Sequence, residues 1–275
     1  MQKFSLSFFL PVYAGRGACY NIGMNRLLFA IGGGELRTKS TLPIDRVIAS
    51  VLRRRAGERR PCALFFGTAS HDSLPYFNSF RKIYTSVFDI KVDVALLTKK
   101  DVPLARIREK IELADLIYVG GGDTCYLIDV WKSTGILPDI LAAYRRGTVL
   151  AGLSAGAVCW FERMYTDSFK MNGLCDEYRL YDGLGLLPGL MSPHYEGRRQ
   201  DFAAAIEASG LSEAYGVDTD AALVFENETP VGMLSAGGGC YKLKRLTEGV
   251  SETPIATFFE AESGDQSDAL PRMTR

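Results

Sequence analysis

Residues 151–160 read AGLSAGAVCW, and Ser154 stands at the centre of the pentapeptide G-L-S-A-G. A serine hydroxyl is a weak nucleophile near neutral pH. To attack a carbonyl it needs a base to take its proton, a third group to orient that base, and N–H donors for the oxyanion that forms. The G-x-S-x-G pattern provides the nucleophile when a strained strand-to-helix turn exposes Oγ. An ordinary turn of that kind asks for the same small residues. The partners of Ser154 therefore decide between the two.

The sequence holds two histidines, His71 and His194. His194, in LGLLPGLMSPHYEGRR, is the one downstream of Ser154. It follows Pro193 at the end of an apolar run, which suits a base leaving a strand end. His71, in TASHDSLPYF, falls at the tip of the second expected strand, where it caps the following helix or lines the pocket. Between Ser154 and His194 stand Glu162, Asp167, Asp176, Glu177 and Asp182. Asp167, in a polar break after the elbow helix, is the first candidate for the orienting acid, and Glu162 is the alternative. The stretch GGGDT (120–124) offers a backbone N–H at Gly121 or Gly122, which with the N–H of Ala155 makes two oxyanion donors. A phosphate cradle would also be glycine-rich, but neither G-x-G-x-x-G nor G-x-x-x-x-G-K-[ST] is present.

These residues need a scaffold that brings remote segments together. From Arg26 onward, short apolar runs alternate with amphipathic stretches. LLFAI (27–31), CALFFGTA (62–69), VDVALL (92–97), DLIYVGGG (115–122) and TVLAGL (148–153) read as strands. Helical periodicity marks residues 44–55, 76–88, 103–114, 124–133 and 137–147 between them. Continuously apolar strands alternating with helices predict a parallel sheet covered on both faces, a three-layer α/β/α fold. Ligands of such sheets bind beyond the carboxyl ends of the strands. Three glycine-rich tips fall there: GGGEL, GGGDT and GLSAGA. After residue 210 short strands with tight turns predict an antiparallel C-terminal extension of the same domain.

Composition narrows the function. The 275 residues carry 32 Lys+Arg against 32 Asp+Glu, so no basic surplus exists to draw nucleic acid or a membrane surface. No apolar run reaches the length of a membrane span. The six cysteines form no C-x-x-C pair, which predicts a reducing, cytoplasmic setting and no structural metal. Residues 1–23 read as an extension outside the fold, 24–262 as one domain and 263–275 as a polar tail. A monomer and a homodimer are equally compatible with the sequence.

VGGGDT, GLSAGAVCWFE, the Asp167 region and LGLLPGLMSPHY, in this order, resemble the peptidase E (aspartyl dipeptidase) family of serine peptidases. The resemblance runs from Met24 to the end of the chain. It implies a fold similar to class I glutamine amidotransferases, flavodoxin-like in layout, with serine in place of the cysteine nucleophile. It implies Ser154 as nucleophile, His194 as general base, Asp167 as the acid, and Gly122 and Ala155 as oxyanion donors. No cofactor is expected, and the partner is a small peptide. The family's best-known members cleave dipeptides with N-terminal aspartate, and Arg198, beside Arg199, falls where the resemblance implies a carboxylate-holding arginine. Asp123 and Thr124 are further candidate substrate contacts. Cyanophycinase-like hydrolases share the same nucleophile turn. An α/β-hydrolase esterase has the same order of Ser, acid and His, but only 40 positions separate Ser154 from His194, too few for the βα units that normally intervene. A binding module that kept the scaffold without the chemistry is the reading outside enzymology.

Overall fold

The computed structural model describes residues 25–99 and 102–260. The expected extension 1–23 and tail 263–275 lie outside the described residues. Strands β1 (Leu27–Ile31), β2 (Cys62–Phe66), β3 (Lys91–Ala95), β4 (Leu116–Val119) and β5 (Val149–Leu153) run parallel in the order β1-β5-β4-β2-β3. Every residue of β1, β4 and β5 is buried, which is why these segments read as unbroken apolar runs.

Helices cover both faces. α1 (Leu42–Ala56) and α2 (Leu74–Ser86) bury Ile48, Leu52, Phe80 and Tyr84 against one face. α3 (Leu104–Leu113), α4 (Thr124–Thr134) and α5 (Leu137–Arg146) bury Ile111, Trp131 and Ile140 against the other. The short α6 (Ala155–Val158) follows β5 directly and lies in the same layer.

The remainder departs from the expected simple extension. β6 (Phe161–Thr166), β7 (Arg179–Asp182), β8 (Leu187–Pro193), β9 (Glu213–Val217), β12 (Cys240–Arg245) and β13 (Val250–Pro254) form a second, six-stranded sheet in the order β13-β12-β9-β8-β6-β7. In it β6, β8 and β9 run parallel. β10 (Ala221–Glu226) and β11 (Thr229–Ser235) instead extend the first sheet antiparallel to β1, and β14 (Thr257–Glu260) completes its eight strands. The later strands are thus divided between two sheets. One face of the second sheet joins the main core through Phe161, Met191 and Tyr215. α7 (Ser168–Met171) follows β6, and α8 (Arg199–Ser209) covers the opposite face with Phe202 and Ile206. Among the described residues no helix is long and apolar enough to cross a membrane.

Candidate active site

The chain reverses sharply between β5 and α6, and Ser154 sits on the bend at φ 53°, ψ −110°. Such a conformation costs a non-glycine residue on the order of 1–3 kcal/mol and persists only where the surroundings enforce it. Two features enforce it here. The Ser154 carbonyl accepts from the N–H groups of Ala157 and Val158, both at 2.9 Å, which closes the helix at once. Gly152 lies so close to the Gly156 carbonyl that a Cβ would collide with backbone. The small residues of AGLSAG are therefore what lets strand and helix meet this tightly.

The end of β1 gathers the other parts. Three successive carbonyls accept from three remote segments: Ile31 from the N–H of Ser154 at 2.8 Å, Gly32 from His194 at 3.0 Å, and Gly33 from Asp220 at 3.1 Å. Gly33 also makes room for the imidazole, since a Cβ there would overlap the His194 ring. His194 follows β8 in the left-handed region, φ 48°, ψ 44°, and this turns its ring toward the elbow. Its Nε2 lies 2.9 Å from Ser154 Oγ. Its Nδ1 lies 3.0 Å from Thr219 Oγ1, in the loop between β9 and β10. Thr219 in turn donates its hydroxyl to Glu196 Oε1 at 2.5 Å and its backbone N–H to Glu196 Oε2 at 3.0 Å.

Electrostatics keep the imidazole ready to accept. Burial first, then the nearby Arg198 guanidinium, lower the His194 pKa below its ordinary value, against the opposing pull of Glu196 and Asp167. Partial burial acts to raise the Glu196 carboxyl, but the two hydrogen bonds from Thr219, joined by its own backbone N–H and the His194 charge, together hold the group below the usual carboxylate range.

The N–H groups of Gly122 and Ala155 have no acceptor among the described residues. The Gly121 N–H does have one: it donates to the Tyr76 hydroxyl at 3.1 Å. Of the two glycines considered as oxyanion donors, Gly122 is thus the one with a free N–H. A cavity of about 410 Å³ opens over Ser154 and His194. Its walls are the Gly34–Arg37 loop after β1, Pro75, Tyr76 and Ser79 of α2, and the Gly121-Gly122 turn.

Residues 28–231 match Peptidase family S51. The chain belongs to peptidase family S51. An uncharacterized peptidase, YgaJ, of Bacillus subtilis is 30% identical over 237 residues, covering 84% of this chain and 97% of the relative. A Peptidase E of Salmonella arizonae is 27% identical over 168 residues, 58% of this chain and 67% of the relative. Among solved structures, a peptidase from an acI-B1 Actinobacterium shares the fold with TM-score 0.64 at 20% identity, over 86% of this chain and 97% of that one. A putative Peptidase E protein from Listeria monocytogenes does so with TM-score 0.56 at 18% identity, over 77% and 98%. The S51 chain is a serine-type peptidase with the fold of these relatives.

The structure separates the remaining candidates of this S51 chain from the Ser154–His194 pair. Asp167 makes no hydrogen bond to His194, whose ring nitrogens face Ser154 and Thr219; its Oδ2 accepts from Arg198 Nη2 at 2.8 Å. Arg198 is only 3% exposed. Its Nη1 donates to the Tyr165 carbonyl, and the Tyr178 ring lies 4.5 Å from the guanidinium, so it is not a wall of the cavity. Asp123 caps α4 by accepting from the Tyr126 N–H at 3.1 Å and also accepts from Asn172 at 2.6 Å. Thr124 is buried, with its N–H donated to Ser168 Oγ. Both serve the turn into α4. Glu162 is exposed on strand β6 rather than on a helix. His71 ends a short 3-10 turn, with its ring 4.1 Å from that of Tyr126 and outside the cavity lining. Arg199 pairs with Glu252 at 3.0 Å. No sequence pattern singles out Thr219, Glu196 or Tyr76 as part of this site. The polar run VDTD between two apolar strands, at a carboxyl strand end, is the nearest to a signal for Thr219.

Proposed function

We propose that this peptidase hydrolyses short peptides, with dipeptides bearing N-terminal aspartate as its substrate class, through a Ser154 acyl-enzyme. His194 Nε2 takes the hydroxyl proton as Oγ attacks the scissile carbonyl carbon. The oxyanion is held by the N–H groups of Gly122 and Ala155. The imidazolium returns its proton to the leaving amine as the C–N bond breaks. Water, deprotonated by the same nitrogen, then releases the acid and restores Ser154. The observation that carries this reading is the 2.9 Å approach of Nε2 to a hydroxyl on a left-handed elbow. Two free N–H groups beside it supply the electrostatic stabilisation that such reactions need.

The cavity's size favours a short substrate. Its charged walls are Glu35 and Arg37. Glu35 accepts from the Arg37 backbone N–H at 3.0 Å, whereas the Arg37 guanidinium takes part in none of the ion pairs among the described residues. Arg37 is therefore the cation suited to an acidic substrate side chain, in place of the occupied Arg198. A panel of Asp-X, Glu-X, Asn-X and uncharged dipeptides tests the reading. Asp-X should turn over fastest, Ser154→Ala should abolish turnover with the melting temperature unchanged, and Arg37→Ala should raise KM for acidic substrates alone. A wild-type protein that a fluorophosphonate fails to label at Ser154 would defeat the acyl-enzyme.

A further inference from the structure

We propose that Glu196 and Thr219 together form the orienting arm of His194, a carboxylate acting on the base through an interposed hydroxyl. The inference rests on the reading of Ser154 and His194 just given. Its basis is directional. For Nε2 to accept from Ser154, the neutral imidazole must carry its proton on Nδ1. That proton points at Thr219 Oγ1, 3.0 Å away. The hydroxyl accepts it and passes its own hydrogen to Glu196 Oε1 at 2.5 Å. The second carboxylate oxygen takes the Thr219 N–H at 3.0 Å, which fixes the hydroxyl's position. Every donor in the row has one acceptor, and the row ends on a group that only accepts. The tautomer required for catalysis is thus imposed from the far end.

The surrounding charges leave this role to Glu196. Arg198 and Asp167 also act on the imidazole through their charges, but they pair with each other at 2.8 Å and their effects on it oppose. Asp218, next to Thr219 in sequence, is raised by burial and by the Glu196 charge; it accepts from the Gly239 N–H and feels the Arg199 guanidinium on its other side. Glu196 is the carboxylate connected to the ring through an unbroken row of hydrogen bonds. Thr219 and Glu196 are positioning residues: they touch the base and not the substrate.

Glu196→Gln reverses the row. The amide can present its NH₂ to Thr219 Oγ1, so that the hydroxyl donates to Nδ1 and the ring proton moves to Nε2. Thr219→Val removes the hydroxyl at nearly constant shape, and Thr219→Ser keeps it. Two measurements separate orientation from mere folding. The first is the pH dependence of fluorophosphonate labelling at Ser154. Glu196→Gln and Thr219→Val should lower the plateau rate about 10- to 100-fold, less than the ~10⁴-fold seen where a directly bonded acid is neutralised. Glu196→Gln should also shift the acidic limb to lower pH, because the imidazolium loses a stabilising charge. Thr219→Ser should restore the rate. The second is ¹⁵N NMR of the imidazole, assigned in a His71→Gln background: Nδ1–H should dominate in the wild type and Nε2–H in Glu196→Gln. Plateau rates within about twofold of wild type together with an unmoved limb overturn the proposal. A tautomer indifferent to both variants overturns it as well. Failure of the wild type to label, with the tautomer still switching, counts against the peptidase mechanism and not against the orienting arm.

Discussion

At residue scale, the pair of Asp167 and Arg198 shows how a carboxylate can act on His194 through its charge without bonding to it. Asp167 is 37% exposed in its side chain and Arg198 only 3%, so the arginine is the partner that cannot do without the contact. Asp167→Asn should therefore cost roughly 2 kcal/mol of stability, less than a fully buried pair, since water reaches the acid side. The same variant should change kcat by less than about fivefold, whereas the acid of a directly bonded triad would cost ~10⁴-fold. Denaturant unfolding and steady-state kinetics on one preparation decide it. The pairing of Ser154 with His194 was legible because both lie in short patterns whose turns have a mechanical meaning. The proposed orienting arm was not. Chain order directed attention to acids between the two, while the ring at left-handed His194 turns toward a loop that follows β9, and the carboxylate behind that loop is only two residues past the histidine itself.

At the scale of elements, the site depends on the carboxyl end of β1. Its carbonyls hold the elbow, the turn after β8 and the β9–β10 loop at consecutive residues, so one strand end sets the registration of Ser154, His194 and Thr219. Gly33 is where this arrangement is most sensitive. A Cβ there meets the His194 ring and stands 3.0 Å from Thr219 Oγ1, and the listless remedy of a small backbone shift is opposed by bonds on either side. Gly33→Ala should push the imidazole from Ser154 and reduce kcat by about 10²-fold, the scale expected for a displacement near 1 Å. Stability should change by less than about 1 kcal/mol, because the obstacle is a side chain. A crystal structure of the variant with Nε2 still within hydrogen-bond reach of Oγ, or unchanged kcat, would refute this. The parallel strands that carry these tips were readable because burial on both faces demands unbroken apolar runs. β6 and β7 were not, since FERMYT and RLYD mix charged and apolar residues as the border of a sheet half open to water.

At the scale of the whole molecule, the proposed nucleophile belongs to one sheet and the proposed base to the other. Ser154 follows β5 of the eight-stranded sheet, and His194 follows β8 of the six-stranded one. Their 2.9 Å approach is consequently a property of how the sheets seat on each other. An aromatic triangle fixes that seat: Phe161 of β6 and Tyr215 of β9 meet Phe225 of β10, with ring centroids 5.6 Å apart for Phe161–Phe225 and 5.9 Å for both other pairs. All three are buried. Aromatic contacts of this kind add about 0.5–1.5 kcal/mol each beyond area burial, and the edge-on geometry of the two pairs that Phe225 makes resists sliding. Phe225→Leu should destabilise by about 1–2 kcal/mol, and Ile111→Val, under the first sheet on α3 and remote from the junction, by a comparable 0.5–1.5 kcal/mol. The two should differ in catalysis. Trimming Phe225 lets the sheets settle by a fraction of an ångström, so kcat should fall several-fold at temperatures where the protein remains fully folded, with KM little changed. Trimming Ile111 should leave kcat alone. Equal kinetics for two variants of equal stability would mean that the carbonyls of β1 hold the pair by themselves, and that the second sheet bears the histidine without steering it.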